Sequence, residues 1–279
     1  MPTIFEYFGF ISSTNSLLVL VLLYLFALKG RTGNEKLSDL RGWYYAHRGL
    51  HSDNVPENSM DAFSRALDAG YGIELDIHLM KDGNLAVIHD SSLKRTAGAD
   101  VMIEDLTTED LEHYRLEGTQ EKIPTLTQVL DLFDGRAPLI VELKSACGNH
   151  AQLSKRACEV LREYRGVYCL ESFDPRCISW LRRNQPQIIR GQLSENFLID
   201  EKAKLPWIMK WIMSWNMANL VARPDFIAYR FDHRNHFSVK LCRKLWGIQG
   251  VCWTVKNLHD HKIAVQEGWI PIFEDYLPQ

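Results

Sequence analysis

The chain has 279 residues, 46% of them hydrophobic and 24% charged, enough apolar material for a full core and not the composition of a disordered chain. A net charge of −3 removes most of the case for a protein that grips nucleic-acid phosphates. The cysteines at 147, 158, 169, 177, 242 and 252 form no close pair, which argues against a disulfide framework or a CxxC zinc site and for reduced thiols.

The first segment reads as a membrane signal. Phe8–Leu28 is apolar apart from the uncharged run Ser12–Ser16, and as a helix it would span roughly 30 Å, the thickness of a hydrocarbon core. Glu6 is the only charge ahead of it and no small-x-small site precedes Lys29, which disfavours a cleaved signal peptide. Lys29, Arg31, Lys36 and Arg41 all follow the segment and no Lys or Arg precedes it. The expectation is therefore an N-terminal transmembrane helix over 1–30, a linker over 31–42, and a domain over 43–279 facing the cytoplasm at the membrane.

From residue 43 short apolar runs alternate with helical patterns. The strand candidates are Trp43–His47, Ile73–His78, Leu139–Leu143, Val167–Ser172, Ile188–Leu193, Phe226–Phe231, Val251–Val255 and Ile270–Glu274. Between them lie helices at Ser59–Ala69, with Asn58 as its expected cap, Leu126–Phe133, His150–Tyr164, Pro175–Asn184, His236–Trp246 and Leu258–Glu267. Eight strands and intervening helices predict an α/β fold, a (β/α)8 TIM barrel, with its chemistry at the C-terminal strand ends. A ninth run, Leu85–His89, follows the second strand after a link with Asp82-Gly83, too short for a parallel crossover, and predicts a hairpin. An open doubly wound sheet is the competing fold, but no GxGxxG or GxxxxGK[ST] follows any strand.

Ionisable residues interrupt these strands where a barrel would react. The first runs into His47-Arg48-Gly49, the hairpin strand ends at His89-Asp90, and Glu74-Leu75-Asp76 and Glu142-Leu143-Lys144 each set two ionisable groups on one face. Inward-pointing Glu74, Asp76 and Glu142 would repel one another without a cation, and three carboxylates are hard donors suited to Mg2+ or Ca2+. Each motif alone is commonplace; their joint placement calls for a metal, an acid/base pair and an anionic substrate.

His47-Arg48-Gly49, Pro56-Glu57-Asn58-Ser59, Glu74-Leu75-Asp76, Asp82-Gly83, His89-Asp90, Pro124-Thr125-Leu126, Glu142-Leu143-Lys144, Ser172-Phe173-Asp174 and Trp253-Thr254-Val255 occur in that order. The chain resembles the glycerophosphodiester phosphodiesterase family over about residues 43–275. The resemblance implies a metal-dependent TIM barrel in which Glu74, Asp76 and Glu142 bind the cation. It implies that His47 and His89 exchange protons, that Arg48 and Lys144 contact the phosphate, that Glu57 and Asn58 support the site, and that Trp253 packs on the glycerol. The implied reaction is hydrolysis of glycerophosphodiesters to glycerol 3-phosphate and an alcohol. The alternatives are lysophospholipase D- or phospholipase-like action on membrane lipids, including a lysophospholipid, and an inactive membrane-tethered binding module.

Two departures concern the family pattern: Lys256 stands where Asn is usual after Trp-Thr-Val, and Phe273-Glu274-Asp275-Tyr276 stands where a Thr-Asp pair is usual. Both are expected to reshape the substrate pocket without touching the metal or acid/base positions. The 194–225 stretch is long for a βα connection and follows a strand, so it is expected at the active-site face. Its apolar centre, Pro206–Leu220, with a polar stripe of Lys210, Ser214 and Asn219, reads as an interfacial helix or as a buried or self-associating one.

Overall fold

The computed structural model describes residues 4–278, with side chains from Asn15 onward. Eight parallel strands run in order around the barrel: β1 (Tyr45–His47), β2 (Gly72–Leu79), β4 (Leu139–Leu143), β5 (Tyr168–Ser172), β6 (Arg190–Ser194), β7 (Phe226–Arg230), β8 (Gln249–Val255) and β9 (Trp269–Phe273). β1 pairs with both β2 and β9, so the sheet closes and no barrel strand is left as an edge. The hairpin strand β3 (Leu85–Val87) lies antiparallel against the end of β2, as the short Asp-Gly link requires.

Around the barrel run α2 (Met60–Asp68), α4 (Leu126–Phe133), α5 (His150–Leu161), α6 (Pro175–Asn184), α9 (Phe237–Lys244) and α10 (Leu258–Gln266), with the short turns α3 (Lys94–Ala97) and α8 (Asn219–Ala222) and the helix α7 (Trp207–Ser214). Outward residues of the strands, such as Ile73, Leu75 and Ile77, pack with Phe63, Leu126 and Phe133 of the helices. The opposite strand face changes character along its length. Ile140 and Cys169 belong to the apolar plug of the barrel interior with Tyr45 and Phe226; two residues further on, the same faces carry Glu142 and Glu171. Apolar below and ionisable above is the division that places chemistry at the C-terminal mouth.

Ser59, rather than Asn58, caps α2, its hydroxyl accepting from the Ala62 amide. Asn58 instead spends its side-chain amide on Asp76, 2.9 Å away. Thr125 and Gln128 form a reciprocal capping box at the start of α4.

The N-terminal expectation is overturned. Among the described residues no helix is long and apolar enough to cross a membrane; neither the single-pass anchor over 1–30 nor the membrane-tethered, cytoplasm-facing placement derived from it stands. Side chains of that segment up to Thr14 lie outside the described residues. Helix α1 (Ile4–Ala27) carries exposed apolar residues over 17–23, but its final turn docks on protein. Ala27 and Leu28 are buried, Trp246 Nε1 donates to the Leu25 carbonyl at 2.9 Å, and Asn219 Nδ2 donates to the Leu28 carbonyl at 3.1 Å. Nor does the 31–42 stretch hang free: Glu35–Leu40 is a 3-10 helix with Leu40 buried, and Arg31 Nη2 and Asn34 Nδ2 both donate to the buried Asp225 carboxylate, at 2.6 and 3.0 Å.

Candidate active site

β1 ends in His47, and the chain then turns sharply. Arg48 takes φ 55° and Gly49 φ 83°; a Cβ on Gly49 would come within 2.9 Å of Ala62, so only glycine lets this turn sit against α2. The turn aims the Arg48 backbone amide at Glu74 Oε2 (3.2 Å) and its guanidinium at Glu57 (3.0 Å) and Asp76 (3.5 Å). On β2 and β4, Glu74, Asp76 and Glu142 are buried and bring one oxygen each within 4.8 Å of one another. Lys144 Nζ reaches across to Glu142 at 2.8 Å and Asp76 at 3.1 Å. The expected trio is thus a real cluster, with Arg48 and Lys144 on it.

A fourth carboxylate was not foreseen. Glu171 sits directly opposite Glu142 in the β4–β5 register, is 1% exposed, and leaves one buried oxygen without a hydrogen-bond partner. Its signal was present, since it breaks the apolar run of its strand as Glu142 does. Burial pushes the Glu74 and Glu171 carboxyls well above the usual range, with neighbouring carboxylates adding to the shift. Burial likewise raises Glu142 to about 7, Lys144 opposing and Asp76 reinforcing the shift. Asp76 goes the other way: burial would raise it, but Lys144, His89 and Arg48 hold it well below. The protein's own cations therefore satisfy one carboxylate and leave the others short of positive charge. Hard oxygen donors in such a deficit fit a divalent cation.

The two histidines flank the carboxylates of β2, His47 from β1 and His89 from the end of the hairpin. Each is held at Nδ1 by a carboxylate: His47 by Glu274 at 2.6 Å and His89 by Asp90 at 2.7 Å. Arg95 ties the supports together, donating to Asp90 at 2.5 Å and to Glu57 at 2.6 Å. With Nδ1 engaged, Nε2 is the nitrogen left for a substrate; that of His47 lies 3.9 Å from Glu74. Burial lowers both histidines. His89 falls to about 4, Lys144 and Arg48 pulling it down against Asp76, while at His47 the Glu274 bond resists the fall.

Glu274 corrects an expectation. Its other oxygen accepts from Lys256 Nζ at 3.2 Å, and Lys256 also reaches Asp275 at 3.2 Å. The two departures from the family pattern meet in one network on His47, so they do touch an expected acid/base position. His51 completes a second group, its Nε2 buried and unpartnered, that with His47 and Glu274 brings three candidate ligand atoms within 4.8 Å. Trp253 stands edge-on to Phe173, 5.5 Å between rings, with its Nε1 buried and unpartnered. The expected polar stripe of the 194–225 segment turns inward: Ser214 and Asn219 are fully buried, while Trp207 is 70% exposed.

Residues 47–278 match the Glycerophosphoryl diester phosphodiesterase family. The chain belongs to that family. It is 32% identical over 174 residues to a glycerophosphodiester phosphodiesterase of Caldanaerobacter subterraneus subsp. tengcongensis, covering 59% of this chain and 69% of that one. With a glycerophosphodiester phosphodiesterase of Bacillus altitudinis it shares 38% identity over 130 residues, 43% of this chain and 53% of the relative. Among solved structures, an Oleispira antarctica phosphodiesterase in complex with the product sn-glycerol-3-phosphate superposes with TM-score 0.72 at 22% identity, over 86% of this chain and 95% of that one. A glycerophosphodiester phosphodiesterase from Thermotoga maritima gives TM-score 0.61 at 26% identity, over 82% and 93%. Glycerophosphodiester phosphodiesterases are phosphoric diester hydrolases, and the barrel mouth is where this member of the family carries its ionisable groups.

Proposed function

We propose that this family member hydrolyses glycerophosphodiesters to glycerol 3-phosphate and an alcohol, with Glu74, Asp76 and Glu142 holding one divalent cation, Mg2+ or Ca2+. The observation that carries the reading is the pair of carboxylate-held imidazoles flanking a buried cluster of carboxylates short of positive charge. When bound, the cation supplies Lewis-acid polarisation and offsets charge growing on the phosphoryl oxygens. Arg48 and Lys144, whose cationic ends already lie on the cluster, orient the phosphate and share that task. One of His47 and His89 takes the proton of the attacking hydroxyl, from water or from the substrate's own glycerol; the other donates a proton to the departing alcohol. Glu274 and Asp90 fix the ring orientations, and Trp253 offers a flat face for the glycerol carbons.

The test is release of glycerol 3-phosphate from glycerophosphocholine. We expect release that EDTA abolishes and Mg2+ or Ca2+ restores. His47→Ala and His89→Ala should each slow it by roughly 100-fold or more. Undiminished release under EDTA would refute the cation site, and wild-type rates in both histidine variants would refute the acid/base pair.

A further inference from the structure

Beside the catalytic mouth lies a second donor group of different chemistry. His47, His51 and Glu274 bring one candidate ligand atom each within 4.8 Å of one another. Two imidazoles and a carboxylate are a set that Zn2+ takes, whereas the three carboxylates of the mouth suit a harder ion. His51 Nε2 is buried with no hydrogen-bond partner, a costly state for an imidazole nitrogen that a metal ion would relieve. The oxygens of Glu274 are divided: Oε1 accepts from Lys256, while Oε2 faces His47 Nδ1 at 2.6 Å. Lys256 therefore leaves the His47 side of the carboxylate to an ion. A cavity of about 430 Å³, lined by His51, Asp53, Glu274, Asp275 and Tyr276 among others, opens on the group and gives room for a water as fourth ligand. Donors around one tetrahedral zinc stand about 3.3 Å apart at metal–ligand distances of about 2.0–2.1 Å. Small rotations of these three partly exposed side chains reach that spacing.

We infer that His47, His51 and Glu274 form an inhibitory site for Zn2+ or a similar borderline ion, separate from the cation site on Glu74, Asp76 and Glu142. The site stands on its donor geometry; its effect on rate rests on the phosphodiesterase reading. Neutral imidazole has one protonated nitrogen and one lone pair. With the ion on Nδ1, the proton sits on Nε2, which then accepts nothing, and the imidazolium that would protonate an alcohol cannot form. An ion on Nε2 blocks that nitrogen itself. Either way His47 is withdrawn from proton transfer while Mg2+ or Ca2+ keeps its own carboxylates.

The experiment titrates Zn2+ into the full chain in millimolar Mg2+ or Ca2+. Calorimetry follows binding, and Co2+ in place of Zn2+ reports the ligand field by visible absorption. Release of glycerol 3-phosphate from glycerophosphocholine is measured over the same range. One Zn2+ per chain should bind despite the excess of hard cation, and the rate should fall as the site fills. His51→Gln should weaken binding and inhibition together by about 10- to 100-fold, with the zinc-free rate unchanged. Glu274→Gln should weaken binding to a similar degree, so the result does not hang on one variant of one loop. Inhibition that excess Mg2+ relieves and that persists in His51→Gln would put the zinc on the carboxylates and overturn the inference, as would Zn2+ bound here with the rate undiminished. His51-dependent binding in a chain that turns over no diester keeps the metal site and refutes the phosphodiesterase reading instead.

Discussion

Glu274 and Lys256 show how a half-buried carboxylate and an exposed lysine govern the histidine beside them. Glu274 is held at about 2 against the burial that would raise it, because His47 and Lys256 both favour its charged form. Its hydrogen bond and charge in turn prop up the proton affinity of His47. Glu274→Gln keeps the shape and removes the charge, so His47 should titrate still lower and the acid limb of kcat/KM should move to lower pH. Lys256→Met removes a competing cation, and the same limb should move slightly upward. We expect kcat of Glu274→Gln to fall about 10- to 100-fold, the usual cost of losing such a support, with KM changed much less. Limbs that move in the same direction in both variants, or a kcat left at the wild-type level, would show that the network does not act through His47.

At the scale of elements, the strands were readable because most are short apolar runs, and in β1, β4, β5 and β7 an ionisable residue falls at or next to the C-terminal end. Leu139–Leu143 is predicted and observed with the same bounds, and the hairpin was forced by the Asp-Gly link. What stayed hidden was pairing at a distance. His47 and Glu274 lie 227 positions apart, and only the β1–β9 closure brings them together; Glu171 meets Glu142 only through the β4–β5 register. The N-terminal run misled for the related reason that apolarity alone does not say what covers it, and here protein covers its last turn. Gly191 on β6 makes the packing of the barrel testable. A Cβ there would lie 2.1 Å from the Phe226 ring inside the barrel. Since overpacking a rigid interior forces rings and backbone to shift, Gly191→Ala should cost about 1–3 kcal/mol in urea unfolding with little change in m. A stability equal to wild type would mean that the interior is loosely packed at β6.

For the whole molecule, the buried carboxylates make stability depend on pH and cation together. A carboxyl raised in the folded state stabilises below its unfolded value, 4.5 for Glu142, and that contribution is lost as pH rises through its folded value of about 7. Glu74 and Glu171 are raised in the same direction. The histidines act in an earlier window. His89, lowered from 6.5 to about 4, destabilises the fold as pH falls through that interval and adds no slope once both folded and unfolded imidazoles are neutral. Above about pH 6.5 the imidazoles add little slope, so without divalent cation the loss of the Glu142 contribution should lower Tm from pH 6.5 to pH 7.5, with Glu74 and Glu171 acting in the same direction. A cation that binds the ionised cluster adds RT ln(1 + [L]/Kd) to the folded state, and binds tighter as the carboxyls lose their protons. Millimolar Mg2+ or Ca2+ should therefore raise Tm more at pH 8.5 than at pH 5.5, and Glu142→Gln should flatten both the pH slope and the cation response. A cation shift equal at the two pH values, or one that persists in Glu142→Gln, would place the ion elsewhere on the molecule.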